Sequence, residues 1–180
     1  MRTCCVLVCL IVLSLAAPAR ATVVVPADLG ELARDAIAIA RGRVAAVDAR
    51  FTEDRGNIET IVTLEVESYL KGAFGSVLRF RVPGGELGRF RSIVVGAPEF
   101  VVDQRVVVFL GARGPVIPFI IGFNQGVFRV AESDSGWMVT PPANSPAVST
   151  ARVVRGDPSR RPLPLAEFEQ RVRALAGSAR

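Results

Sequence analysis

The chain of 180 residues contains no histidine, and its three cysteines, Cys4, Cys5 and Cys9, all stand within the first nine positions. Without histidine there is no Ser-His-Asp triad, no Cys-His pair and no imidazole ligand for zinc. Lysine, tyrosine and tryptophan occur once each, as Lys71, Tyr69 and Trp137. Acid–base chemistry is therefore left to carboxylates, one amine and one phenol. No second long apolar run follows the one near the N-terminus, and nothing repeats internally. What remains is 50% hydrophobic and 22% charged, an ordinary composition for one domain with its own core.

The N-terminus has the form of an export signal. Arg2 precedes the apolar run from Cys4 to Ala17, and Ala19-Arg20-Ala21 offers a small-residue cleavage motif before Thr22. The run stops at Pro18, short of the roughly 20 residues a spanning helix needs. No twin-arginine pair precedes it, and Cys9 sits too early in the apolar run for a lipoprotein signal. Cleavage at this site removes every cysteine, so the exported chain is predicted to lack disulfides, thiol chemistry and thiolate metal sites. No cofactor is expected, and no transmembrane segment after cleavage. The predicted location is the periplasm or the medium.

The mature sequence divides into a β domain over residues 22–140, a linker over 141–163 and a C-terminal helix over 164–176. Asp28 and Glu31 have capping-box spacing ahead of Leu32-Ala33, which predicts one short helix. Residues 37–51 then read as a long strand, with Gly42 marking a bulge or bend. Ile58 to Leu70 alternates: Ile58, Thr60, Val62, Leu64 and Val66 share one face, while Glu59, Ile61, Thr63, Glu65 and Glu67 share the other. Shorter strands are predicted over 77–82, 90–95, 105–110, 119–123, 126–130 and 137–140. Val106 to Leu110 is apolar at every position, as in a strand covered on both faces. Residues 141–163 are polar and proline-containing, without periodicity. In the last element Leu165, Phe168, Val172 and Leu175 form one stripe, with Glu167 and Glu169 early and Arg171 and Arg173 late, suiting the helix dipole. This succession predicts a mainly β fold, a small antiparallel barrel or sandwich with a short helix at one end and an amphipathic helix at the other.

Charge is unevenly spread. The net +5 includes +2 from Arg2 and Arg20 and +4 from residues 151–180, which leaves residues 22–150 at −1. The basic character thus belongs to the two ends, and the β domain is near neutral.

One local pattern stands out within it. Arg79-Phe80-Arg81 and Arg89-Phe90-Arg91 are mirrored about a glycine-rich stretch. A hairpin centred on Gly85 would set Arg79 against Arg91 and Arg81 against Arg89, with Phe80 and Phe90 meeting on the other face. Four guanidinium groups on one patch repel, so negative charge should sit on them. Two sources are available. The sequence supplies Glu65 and Glu67 on the preceding strand, which makes a solvated salt-bridge ladder the preferred reading. The alternative is an external polyanion or acidic partner held by Arg79, Arg81, Arg89 and Arg91.

Other patterns carry less. Gly84 to Gly88 matches neither dinucleotide nor P-loop spacing. Glu53-Asp54 and Glu132 with Asp134 fall short of a calcium-binding loop and read as solvated turns. Glu65 and Glu67 lie about 6–7 Å apart along one strand face, a separation that glycoside hydrolysis can use, although such a pair usually forms only a wet face. No basic and aromatic array is long enough to track nucleic acid.

The segments AIARGRV, VESYLKG, PGGELG, VVGAPEFVVDQRVVVFLG and IGFNQGVFRV, between Ile37 and Val130, together resemble a group of short exported bacterial proteins. More distantly, a long strand ending in VESYLKG is similar to netrin-type modules, OB-like domains that include tissue inhibitors of metalloproteases. That resemblance implies an OB-like fold and a protease-inhibitor-like module as one function. The inhibitors' disulfides and N-terminal cysteine have no counterpart after Ala21. The reading that follows is an exported, non-enzymatic binding module that meets a protein or an anionic envelope component. A carboxylate-dependent hydrolase acting on envelope glycan is the alternative.

Overall fold

In a computed structural model, residues 27–114, 116–142 and 162–177 are described. The predicted signal peptide, residues 1–21, and nearly all of the predicted linker over 141–163 lie outside the described residues. The fold is mainly β: among the described residues 49% lie in strands, with two helices and one large mixed sheet. Helix α1 (Leu29–Asp35) precedes strands β1 (Ala38–Phe51), β2 (Ile58–Lys71), β3 (Val77–Pro83), β4 (Gly85–Leu87), β5 (Phe90–Ser92) and β6 (Arg105–Gly111). After β7 (Phe119–Ile120) and a 3-10 turn (Phe123–Gly126) come β8 (Val127–Ser133), β9 (Gly136–Thr140), β10 (Leu163–Pro164) and helix α2 (Leu165–Gly177).

Eight strands follow the order β1-β2-β3-β7-β6-β8-β9-β10, and β1 also pairs with β6. β4 and β5 form a separate hairpin. The sheet is not purely antiparallel as predicted, because β3 and β7 run parallel where Arg81 meets Phe119. Two further strand expectations are corrected. The predicted strand over 90–95 ends at Ser92, and that over 119–123 gives way after Ile120 to the 3-10 turn. Gly122, in the left-handed region at φ 67°, turns the chain there.

Strand β6 explains the layering. Its alternate residues Val106, Val108 and Leu110 enter one apolar cluster, with Val44, Val62, Leu64 and Phe80. Val107 and Phe109 enter a second cluster, with Ile39, Phe128, Val139 and residues of both helices. A strand with an apolar side chain at each of five positions needs cover on both faces, and α1 and α2 provide it on the second. Phe168 of α2 stacks at 4.9 Å between ring centroids on Phe128, which itself stands 5.5 Å from Phe109. The C-terminal helix therefore docks on its own domain. β10 guides it there by pairing Leu163 with Val139 and Pro164 with Met138. The lone lysine joins α1 to the sheet: Lys71 Nζ donates to the Ala33 and Arg34 carbonyls at 2.8 and 2.9 Å, where the helix dipole favours a cation.

β1 is long because it serves two partners, β2 throughout and β6 over Ala38–Arg43. Its register against β2 shifts three times, once between Arg41 and Gly42. Gly42 is required for space. A Cβ there would lie 2.2 Å from the Glu65 carbonyl oxygen, so any side chain forces β1 and β2 apart at their bulge. Gly42→Ala is expected to lower stability by about 1–3 kcal/mol, as overpacking does, read as a lower urea midpoint with an unchanged slope.

Candidate functional site

The predicted hairpin about Gly85 does not form. Gly84, at φ 87°, and Gly85, at φ 140°, make a corner that carries the chain off β3 and across β1 and β2. The Gly84 N–H donates to the Ile58 carbonyl at 2.9 Å, and a Cβ on Gly85 would meet Thr60 Oγ1 at 2.5 Å. The hairpin apex is Gly88-Arg89 instead, and β4 pairs with β5 as Gly85 with Ser92, Glu86 with Arg91 and Leu87 with Phe90. The four arginines are therefore not joined across one turn. Arg91 is ion-paired to Glu86 at 2.9 Å, and Arg89 lies 5.1 Å above the Phe90 ring. Phe90 meets Phe51, not Phe80, at 5.8 Å.

Arg79 and Arg81 stay on β3, on the face opposite Leu78, Phe80 and Val82. Their neighbours across β2 are Thr63 and Ile61, so Glu65 and Glu67 do not neutralise them as predicted. Those carboxylates turn the other way, towards β1. Glu65 stands opposite Arg43 and pairs with it at 2.5 Å, while Arg43 also pairs with Asp103. The hydrogen bond that Arg43 donates to Asp103, then the one it donates to Glu65, raises the Arg43 pKa above its ordinary value, so this cation is permanent.

Glu67 begins a chain of alternating charges. One oxygen accepts from Arg105 Nε at 3.0 Å and the other faces Arg41 Nε at 3.4 Å. Arg41 Nη1 reaches Glu169 on α2 at 3.2 Å, and Arg173 Nη2 holds the second Glu169 oxygen at 3.0 Å. Arg41 Nε and Glu169 Oε1 are buried without a well-aligned hydrogen bond, so attraction between charges holds them. Arg43 and Arg105 are directly opposite on β1 and β6, the like-charge contact that the sequence placed elsewhere. It is relieved by Glu65 and Asp103 on one side, and by Glu67 and the Trp137 ring, 4.6 Å from Arg105 Cζ, on the other. Glu65 and Glu67, the pair named for the hydrolase alternative, are thus both ion-paired to arginines.

A different basic group emerges on the β3 face. Phe119 of β7 is the sheet neighbour of Arg81, and Arg113 stacks 5.7 Å above its ring. Among the described residues no carboxylate lies within ion-pair distance of Arg79, Arg81 or Arg113. Arg113 was missed because only the β6–β7 connection brings it to β3, and nothing in its local sequence marks it. The cost of leaving these charges open is small: two guanidinium groups at alternate-residue spacing, about 7 Å, repel by about 0.6 kcal/mol in water. Folding can tolerate this face without a counter-ion.

The loop carboxylates behave as turn residues. Asp54 accepts from the Thr52 hydroxyl and from the Gly56 N–H at 3.1 Å, and these bonds, the hydroxyl first, lower its pKa. Among the described residues no group of three or more Cys, Asp or Glu could hold a metal ion, and no helix is long and apolar enough to cross a membrane. Comparison with protein-family models, with curated proteins and with solved structures finds no match.

A depressed folded-state pKa adds stability above the unfolded carboxyl's value and loses it as pH falls through the folded value. The β1–β2 turn should therefore hold at neutral pH and loosen in acid. A carboxyl titration by NMR should put Asp54 below the ordinary aspartate range, with the Gly56 amide losing protection over the same interval. Asp54→Asn should abolish that coupling.

Proposed function

We propose that this protein is an exported, non-enzymatic binding module of the bacterial envelope or extracellular space, and that it engages an anionic partner through the β3 face at Arg79 and Arg81. The observation that carries the reading is the contrast between arginines. Arg41, Arg43, Arg50, Arg91 and Arg105 each have a carboxylate partner, whereas Arg79, Arg81 and the added Arg113 have none among the described residues. Arg79 and Arg113 are exposed and Arg81 is half-buried, and guanidinium groups without carboxylate partners suit carboxylate, sulfate or phosphate groups. The second R-F-R triplet contributes less, since Glu86 occupies Arg91 and the Phe90 ring occupies Arg89.

The finer architecture we favour is OB-like. Support comes from the circuit of pairings, in which β1 joins β2, β2 joins β3, β3 joins β7 in parallel, β7 joins β6 and β6 returns to β1. An inhibitor-like activity has no such support, since the sequence after Ala21 contains no cysteine. Nucleic acid is not among the proposed partners.

Export is tested by the N-terminus of the processed chain, which should begin at Thr22 in a periplasmic or culture fraction. Binding is tested by retention on immobilised heparin and on vesicles containing anionic phospholipid. Arg79→Ser with Arg81→Ser should elute at lower salt than the parent, and Arg89→Ser with Arg91→Ser should shift less. Wild-type retention of the Arg79/Arg81 variant on both surfaces would remove the anion-binding face.

A further inference from the structure

The same strand carries an unfinished ladder. Arg81 donates its N–H to the Pro118 carbonyl at 2.8 Å, so Arg81 points its backbone groups towards β7. In a strand this direction alternates, and Val77 and Arg79 therefore point the same way. The parallel ladder nevertheless has a single rung, Arg81 with Phe119. The next rung would need an N–H from residue 118 for the Arg79 carbonyl, and Pro118 has none. The chain before it bends away, with the Val116 N–H donated to the Gly114 carbonyl at 2.9 Å. Among the described residues, the Arg79 N–H and carbonyl form no ladder bond on that side. Beside them on the outward face stand Val77, 52% exposed, and the two arginines without carboxylate partners.

We infer that this edge, Val77–Arg79 of β3, receives an extended acidic segment of a partner polypeptide as an added strand. The inference rests on the anion-binding reading of Arg79 and Arg81, and it narrows the partner from anionic material in general to protein. Two features select a peptide. Open main-chain donors and acceptors are satisfied in register by another main chain, which a glycan or a lipid headgroup does not offer. A carboxylate opposite Arg79 on the added strand would meet its guanidinium directly, while Arg81, whose own edge β7 occupies, stands about 6.6–6.8 Å further along the same face of β3. Backbone pairing supplies affinity and the arginines select acidic sequence, with Val77 facing an apolar or neutral residue.

The test uses the mature protein with two probes, a short peptide of alternating glutamate and threonine and a heparin oligosaccharide. Val77→Pro removes one edge N–H and keeps both arginines; proline is tolerated at the first residue of a strand, and the rung here to β2 uses the Ser76 carbonyl. Val77→Pro should bind the peptide about tenfold more weakly, the loss of one hydrogen bond and of register, while keeping heparin affinity. In the unaltered protein the Arg79 amide should gain exchange protection on adding peptide, a readout that does not depend on the variant folding. Equal peptide affinity of the variant, or no protection at Arg79, overturns the added strand and leaves the anion face standing. Heparin binding by the unaltered protein without peptide binding also overturns it and identifies a glycan surface. Retention of both probes by the Arg79→Ser, Arg81→Ser protein defeats the underlying reading instead.

Discussion

Everything in this fold is arranged around the double burial of β6. Val106, Val107, Val108, Phe109 and Leu110 are all fully buried, and a strand cannot bury both its faces within one layer. One face is covered by the sheet curving back, with β1, β2, β3 and β7 contributing Val44, Val62, Leu64, Phe80 and Ile120. The other needs helices, and the molecule takes them from both ends of its described chain. This accounts for α2 docking through Phe168 and Val172, both nearly inaccessible to solvent, onto Phe128 and its neighbours. Each buried side chain of this size contributes roughly 1.5–3 kcal/mol, so the helix is held mainly by its apolar stripe.

Charge is then distributed by the geometry that burial imposes. β1 must reach β6 and β2 together, and its bulge at Gly42 brings the two backbones close enough for Arg41 and Arg43 to share the Glu67 and Glu65 carboxylates. The same ladder extends through Glu169 to α2. Its members are partly exposed, so each contact contributes about 0–1 kcal/mol, too little to hold the helix but enough to fix its rotation on the sheet. Because β2 turns its carboxylates towards β1, none is left for β3. The open arginines of β3 are the counterpart of the satisfied arginines of β1.

Much of the architecture was legible in the sequence, and what was not follows a physical pattern. Strict alternation located β2, the apolar run located β6, and the glycine inside a β-rich stretch located the bulge in β1. Such features depend on one strand and its two faces. Pairing depends on two strands, and there the reading failed: the glycines at 84 and 85 are a corner, and the hairpin apex lies at Gly88, the first residue of a two-residue loop. Weight given to that offset would have located the apex. The register that moves Glu65 and Glu67 to β1, and the loop that brings Arg113 to Phe119, left no local mark. The four candidate arginines are thus not brought together in the arrangement expected of them.

A sequence without histidine, and with its cysteines confined to the first nine positions, leaves carboxylates, one lysine and one tyrosine as routes to acid–base catalysis. The best-spaced pair of carboxylates is ion-paired to arginines. Among the described residues, one stretch of β3 combines cationic side chains without carboxylate partners and main-chain donors and acceptors without ladder bonds. Cations there offer complementarity without chemistry, and an interrupted ladder offers directional bonding without a pocket. The arginines of β3 stay open at a cost of under about 1 kcal/mol, since solvent screens them there. Binding an acidic chain would replace that screening with hydrogen bonds.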